Sequence, residues 1–191
     1  MAVAVLETER MKIRSIEGAD RAEFVRVHEL SAAFYAPWIP ALGPGETWNH
    51  VFESNLAKAS LATHARLIGV AADGRIAGFF NLNEIVRGVF DCAYASWQIN
   101  LEFAGRGLAT EGVAALLDFA FAEGEGLGLH RVQANVIPSN LRSISLAERV
   151  GFRREGLALK YLKIAGQWQD HLMFAKVVDE HRPTWLGRKE T

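Results

Sequence analysis

One cysteine, Cys92, is all that this 191-residue sequence holds. An internal disulfide and a multi-cysteine zinc site are thereby excluded, and a single thiol fits a reducing compartment. Neither sign of charge is in excess. With 21 basic and 22 acidic residues the formal charge is -1, so no global field draws the chain to nucleic acid or to an anionic bilayer. Long apolar runs are missing too: the hydrophobic opening Met1-Ala2-Val3-Ala4-Val5-Leu6 lacks a basic start and meets Glu7 before a secretory core develops. No later stretch approaches the length that crosses a membrane, and the cytoplasm is the expected compartment. Prolines number five, and three of them crowd between Tyr35 and Gly45. Internal repeats and low-complexity segments are absent.

What is present is a chain with 50% hydrophobic residues and the length of one domain. A single domain over residues 1–180 is expected, with a polar, frayed tail over 181–191. Alternation over 10–16 predicts a half-buried strand, and Phe24, Val25, Val27, His28 and Leu30 predict a helix. The prolines and glycines of 35–45 predict an irregular loop with exposed aromatic bulk. A second helix is expected over 46–62. Three strands follow, over 65–71, 75–82 and 89–99, the first two joined at Asp73-Gly74, which suits a tight turn. Val113, Leu116, Leu117 and Ala120 recur at helical spacing within 107–123, and Gly124, Gly126 and Gly128 stop that helix. A strand over 131–137, a short helix over 140–150 and two strands over 152–164 and 168–178 complete a mixed α/β order, the last two turning at Ala165-Gly166-Gln167.

The run Phe103-Ala104-Gly105-Arg106-Gly107-Leu108-Ala109-Thr110-Glu111 carries the most chemical information. A glycine loop that opens a helix leaves main-chain amides without intrahelical partners. Those amides, with the positive end of the helix dipole and the Arg106 charge, suit a pyrophosphate. Two rival readings of the loop fail on residue identity and context. A dinucleotide fingerprint needs a third glycine where Thr110 stands and a βαβ unit where antiparallel strands precede. A triphosphate loop needs a Gly-Lys-Ser or Gly-Lys-Thr ending, which the run lacks.

Together with Pro138-Ser139-Asn140-Leu141-Arg142-Ser143, Glu148-Arg149-Val150-Gly151-Phe152 and His130-Arg131-Val132-Gln133-Ala134-Asn135, this run resembles the GNAT N-acetyltransferase superfamily. Within it, the chain is similar to the RimJ/RimL class of ribosomal-protein-alanine N-acetyltransferases, on the RimJ side. Leu6 to Arg14, Val86-Arg87-Gly88-Val89-Phe90 and the hairpin Tyr161-Leu162-Lys163-Ile164-Ala165-Gly166-Gln167-Trp168-Gln169-Asp170-His171 extend the resemblance over almost the whole chain. It implies a mostly antiparallel sheet whose fourth and fifth strands run parallel and then splay, with acetyl-CoA as co-substrate and no metal. The implied pyrophosphate contacts are Gly105, Arg106, Gly107, Leu108, Ala109 and Thr110. Ile99 and Leu101 are the implied partners of the pantetheine arm, with Asn140 and Ser143 beside it. The family motif usually opens with Gln or Arg where Ala104 stands here. The family tyrosine that protonates the departing thiolate is replaced by Ala147, which leaves Ser143 as the implied assistant.

Acetyl transfer needs a neutral amine, and that demand sorts acceptors. A chain-terminal amine with a pKa near 7.7–8.0 is roughly 10–15% neutral at pH 7, whereas a lysine near 10.4 is about 0.04% neutral, a difference of about 3.5 kcal/mol. An N-terminal acceptor therefore asks little of a base. Glu84 is the first candidate base, with Asp91 and His171 behind it. A main-chain amide near Trp97 or Gln98, at a bulge of the fourth strand, is the candidate for polarising the carbonyl. Tyr35 and Trp38, with Trp48, are candidates to line an acceptor groove. The expected partners are acetyl-CoA and a protein N-terminus, with a ribosomal protein as one target, or else a small amine such as an antibiotic or polyamine. A non-catalytic acyl-CoA or ribosome-assembly binding module is the other-class reading. No nucleic acid, no membrane, and a monomer or homodimer complete the expectations.

Overall fold

The computed structural model describes residues 6–184. The apolar opening at 1–5 and the tail from 185 onward lie outside the described residues. In chain order the elements are β1 (Leu6–Glu7), β2 (Met11–Ser15), α1 (Arg21–Tyr35), α2 (Trp48–Ala59), β3 (Ala65–Ala71), β4 (Ile76–Val86), β5 (Cys92–Ile99), α3 (Leu108–Phe121), β6 (Arg131–Val136), α4 (Leu141–Arg149), β7 (Arg153–Ile164) and β8 (Gln167–Val177). One sheet has the order β1-β2-β3-β4-β5-β6-β8-β7, and every neighbouring pair is antiparallel except β5 and β6. The expected fourth and fifth strands are thus β5 and β6. The two-residue β1 adds one to the count because it is too short to show a period.

Local chemistry explains most boundaries. Gly74 takes a φ of 83° and closes the β3–β4 loop, where the Ala71 N–H donates to the Arg75 carbonyl at 3.0 Å. Ala165 and Gly166 both have positive φ, 49° and 79°, as the two-residue turn of the β7–β8 hairpin requires. The second helix starts later than expected because Thr47 caps it, its hydroxyl accepting from the His50 amide. Expected strand 89–99 starts only at Cys92: Val89 is fully exposed and Asp91 sits at a φ of 37°, so the chain is still turning there. The preceding strand runs on to Val86, past the expected end at 82.

Two cores flank the sheet. On one face α3 is buried along almost its whole length, with Leu116 and Leu117 against Phe80 and Leu82 of β4. Each such burial stabilises by about 2 kcal/mol. Gly112 lets α3 lie directly on the Phe80 ring. On the other face Phe24 and Val27 of α1 and Phe52 of α2 pack on Ile68, Ile76 and Phe79. His181 is buried with its Nε2 2.8 Å from Asp118 Oδ1, and the Thr184 amide donates to the same carboxylate at 2.9 Å. The start of the tail is therefore docked on α3. Among the described residues no helix is long and apolar enough to cross a membrane.

Candidate active site

β5 and β6 pair only from Cys92 to Tyr94 against Arg131 to Gln133. Beyond that point β5 stays with β4 as far as Ile99 and β6 stays with β8. The sheet therefore opens as a V. The Asn100 amide donates to the Ala77 carbonyl at 2.9 Å, and an antiparallel ladder alternates. Gln98 and Ser96 accordingly turn their main-chain groups to β4, while those of Ile99 and Trp97 point into the opening. A cavity of about 920 Å³ occupies the V and runs on beneath α1 and α2.

At the α3 end of the opening, Gly105 and Gly107 adopt φ values of 76° and 80°, a backbone that side chains rarely tolerate. Gly107 is the residue before α3, and the first amide to find an intrahelical partner is that of Glu111, bonded to the Gly107 carbonyl. The amides of Leu108, Ala109 and Thr110 precede it at the positive end of a 14-residue helix. This cradle fits a diphosphate. Two further guanidinium groups reach it from other elements, and the sequence pattern did not reveal them. Arg10 Nη1 donates to the Arg106 carbonyl at 2.7 Å, and Arg149 Nη1 donates to Thr110 Oγ1 at 3.3 Å. Arg10 is held in turn by the buried carboxylate of Glu111, which accepts from its Nε and its main-chain amide, each at 2.8 Å, and also from the Thr8 hydroxyl. The turn between β1 and β2 is thereby tied to the loop.

Asn140 and Ser143 sit together on the wall of the same cavity. Asn140 is the N-cap of α4, its Oδ1 accepting from the Ser143 amide at 3.2 Å, and capping leaves its Nδ2 for another partner. Ala147, one turn on, is fully buried.

The rest of the cavity lies on the sheet face shared with α1 and α2. Arg66, Asn81 and Ser96 lie opposite one another across β3, β4 and β5, with Asn83 two residues along, Nδ2 donating to Ser96 Oγ at 3.1 Å. His171 lies beyond β6, buried, with Nδ1 3.1 Å from the Gln169 carbonyl. A carbonyl only accepts, so that contact engages the Nδ1 proton and leaves Nε2 for a second partner. Trp38 and Trp48 line the outer part. His28 is packed among Phe24, Trp48 and Phe79, and burial lowers its pKa to about 4, so it is neutral at pH 7.

Several sequence expectations need correction. Glu84 does not line the cavity: the register of β4 against β5 slips between Asn83 and Val86, Glu84 adopts a φ of 47°, and its side chain turns to solvent beside His64, 3.7 Å away. Asp91 is occupied at the other end of β5, accepting from Arg87 and from the His130 amide. The expected bulge at Trp97 or Gln98 is absent, since pairing there is continuous; the irregularity is the one at Glu84. Leu101 has no main-chain group to offer along the strand, because it begins a 3-10 turn, its N–H donates to Ser31 Oγ and its carbonyl accepts from Ala104. Ile99 and Trp97 hold that edge instead. Tyr35 reaches the cavity wall, but its hydroxyl donates to Asn100 Oδ1 at 2.6 Å, so it anchors α1 to the end of β5. Among the described residues no cluster of three or more His, Cys, Asp or Glu could hold a metal.

Residues 10–153 match the family model described as the acetyltransferase (GNAT) domain. The [ribosomal protein uS5]-alanine N-acetyltransferase of Escherichia coli is 28% identical over 93% of both chains. The probable N-acetyltransferase YjcK of Bacillus subtilis is 40% identical over 56% of this chain and 58% of its own length. Among solved structures, Mycobacterium smegmatis RimJ in complex with CoA-disulfide superposes with a TM-score of 0.83 at 26% identity, covering 97% of this chain and 90% of that one. Spermidine N-acetyltransferase from Vibrio cholerae, in complex with CoA and spermine, superposes at 0.75 with 22% identity, covering 90% and 97%, a likeness of fold alone. With three quarters of its length inside the family model and the splayed parallel pair in place, the chain belongs to the GNAT acetyltransferase family and is an acetyl-CoA-dependent acetyltransferase.

Proposed function

We propose that this enzyme acetylates the α-amine of a protein N-terminus, in the manner of the RimJ class, with an alanine- or serine-initiated ribosomal protein such as S5 as the natural kind of target. One observation carries the choice of acceptor: among the described residues Glu46 is the only carboxylate on the cavity wall, which also presents Arg66, Arg142 and Lys163. A polyamine brings several positive charges and would meet repulsion there. A peptide terminus brings one amine, partly neutral at pH 7, and a row of carbonyls for Asn81 and the cations. Full-length likeness to the uS5-alanine enzyme supports the same reading.

When bound, acetyl-CoA supplies an activated thioester. In this reading the amides of Leu108, Ala109 and Thr110, with Arg10 and Arg106, hold its diphosphate, and the main-chain edge at Ile99 and Trp97 aligns its arm with Asn140. The Trp97 N–H polarises the carbonyl. His171 Nε2 receives the proton that the amine sheds on direct attack in a ternary complex. The Ser143 hydroxyl donates to the departing sulfur in place of the missing tyrosine. Proximity in the V supplies much of the rate.

Mass spectrometry of the protein incubated with acetyl-CoA and Ala-initiated peptides, beside spermidine, tests the proposal. Acetylation confined to the peptide α-amine is expected. Turnover of spermidine without turnover of any peptide would overturn it.

A further inference from the structure

Two polar groups on the cavity wall are buried and without a hydrogen-bond partner, and their needs are opposite: Arg66 Nε offers a proton and Asn135 Oδ1 seeks one. Arg66 is 8% exposed. Its Nη1 donates to Asn83 Oδ1 at 2.5 Å, and no carboxylate pairs with it among the described residues. Glu84 is the carboxylate whose field it feels, but that side chain is 70% exposed and turned toward His64. A guanidinium removed from water with one neutral partner is unfavourable unless an anion joins it. Asn135, also on the cavity wall, donates its Nδ2 to the Tyr161 hydroxyl at 3.1 Å, which leaves its carbonyl oxygen for another partner. It stands on β6 two residues past Gln133, where pairing with β5 ends, and so where the two strands part.

A molecule that satisfies both groups carries an N–H donor and a carboxylate some distance apart. Arg66 on β3 and Asn135 on β6 are separated by at least three strand spacings, about 14 Å between backbones, which two inward side chains shorten but do not close. The α-carboxylate of a free amino acid shares a carbon with its amine and is too short for this span. An acidic side chain on the second residue of a peptide adds a Cα step of about 3.8 Å and its own length.

We propose that the preferred acceptor is a protein N-terminus with Asp or Glu as its second residue, Arg66 binding that carboxylate and Asn135 Oδ1 receiving an N–H of the α-amine. The inference rests on the α-amine reading above. Arginine suits the task because its fork meets a carboxylate with two donors.

The test uses the full-length protein, acetyl-CoA and two peptides that differ only in Ala-Glu against Ala-Gln at the start. Wild-type kcat/KM should favour the Glu peptide by about tenfold to a hundredfold, the usual effect of a buried charge-assisted bond. In Arg66→Gln the ratio should fall to within about twofold of one. Calorimetric titration of the CoA-loaded protein with each peptide should show the same preference without turnover. Equal kcat/KM and equal binding of the two peptides by wild type, or a preference that survives Arg66→Gln, would overturn the proposal. The wild-type comparison needs no variant and decides the matter even if Arg66→Gln does not fold. Preferential binding with no acetylation would sustain the Arg66 assignment while removing the α-amine reading, whereas acetylation of both peptides alike would do the reverse. Free glutamate as a third acceptor should be turned over poorly, and turnover as fast as the Glu peptide would also count against the span argued here.

Discussion

Gly112→Ala should destabilise the protein even though alanine is the better helix former. A Cβ at Gly112 would lie 2.1, 2.3 and 2.6 Å from three atoms of the Phe80 ring, closer than any carbon contact allows. Phe80 is fully buried between α3 and the sheet, so the ring cannot swing out of the way. Overpacking of this kind costs about 1–3 kcal/mol, and three simultaneous clashes place this case near 3. Replacing glycine within a helix returns at most about 1 kcal/mol. The net loss is about 2 kcal/mol, and a chain of this size loses about 2–4 °C of Tm per kcal/mol. Scanning calorimetry should therefore show a Tm lower by about 4–8 °C. A second measurement isolates the cause: Phe80→Leu, which costs stability alone, should cost less or even stabilise in the Gly112→Ala background. Because α3 carries the diphosphate cradle at its start, the shifted helix should also weaken coenzyme A binding several-fold. A Tm equal to or above that of wild type would refute the close approach of α3 to β4, and with it the reason for glycine at this position.

Three further outcomes follow from the site. Ser143→Ala should lower kcat about tenfold or more while changing acetyl-CoA affinity less than about threefold, and equal turnover in steady-state assays would remove Ser143 from the chemistry. His171→Asn should lower kcat/KM about a hundredfold at pH 7 while Glu84→Gln stays within about twofold of wild type; the reverse pattern in the same assay would restore Glu84 as the base. Burial lowers the His28 pKa from 6.5 to about 4, so below pH 6.5 the unfolded chain binds a proton that the folded chain refuses. That stability is complete above pH 6.5 and is lost as the pH falls toward 4, by up to about 3 kcal/mol. Urea unfolding at a series of pH values should show a flatter acid limb for His28→Phe than for wild type, and parallel limbs would contradict the assignment.

Residues whose role is set by local backbone chemistry were legible in the sequence, and those whose role is set by tertiary meeting were not. Gly105 and Gly107 mark the loop that opens α3, and Asp73-Gly74 and Ala165-Gly166 mark their turns, because each depends on a few neighbouring residues. The alternation along β2 and the apolar spacing of α3 likewise carry the layers. Arg10 and Arg149 do not show themselves, since they come to the cradle from elements about a hundred and about forty residues away. Glu84 misled because a strand register that slips by one residue reverses the side a side chain faces, and nothing in the sequence marks the slip. Tyr35 and Leu101 were read as free to meet ligands, but their partners, Asn100 and Ser31, lie on other elements. Arg66 stands unmarked within the expected strand 65–71. Only the depth of the fold shows that it is buried without an anion.

The account depends above all on the V between β5 and β6 and the amides at the start of α3. A crystal structure of the protein with coenzyme A tests it most directly. The expected result is a diphosphate within hydrogen-bond distance of the amides of Leu108, Ala109 and Thr110, with the pantetheine arm running along Ile99 and Trp97 toward Ser143. Coenzyme A bound outside the opening, or a diphosphate away from these amides, would contradict it.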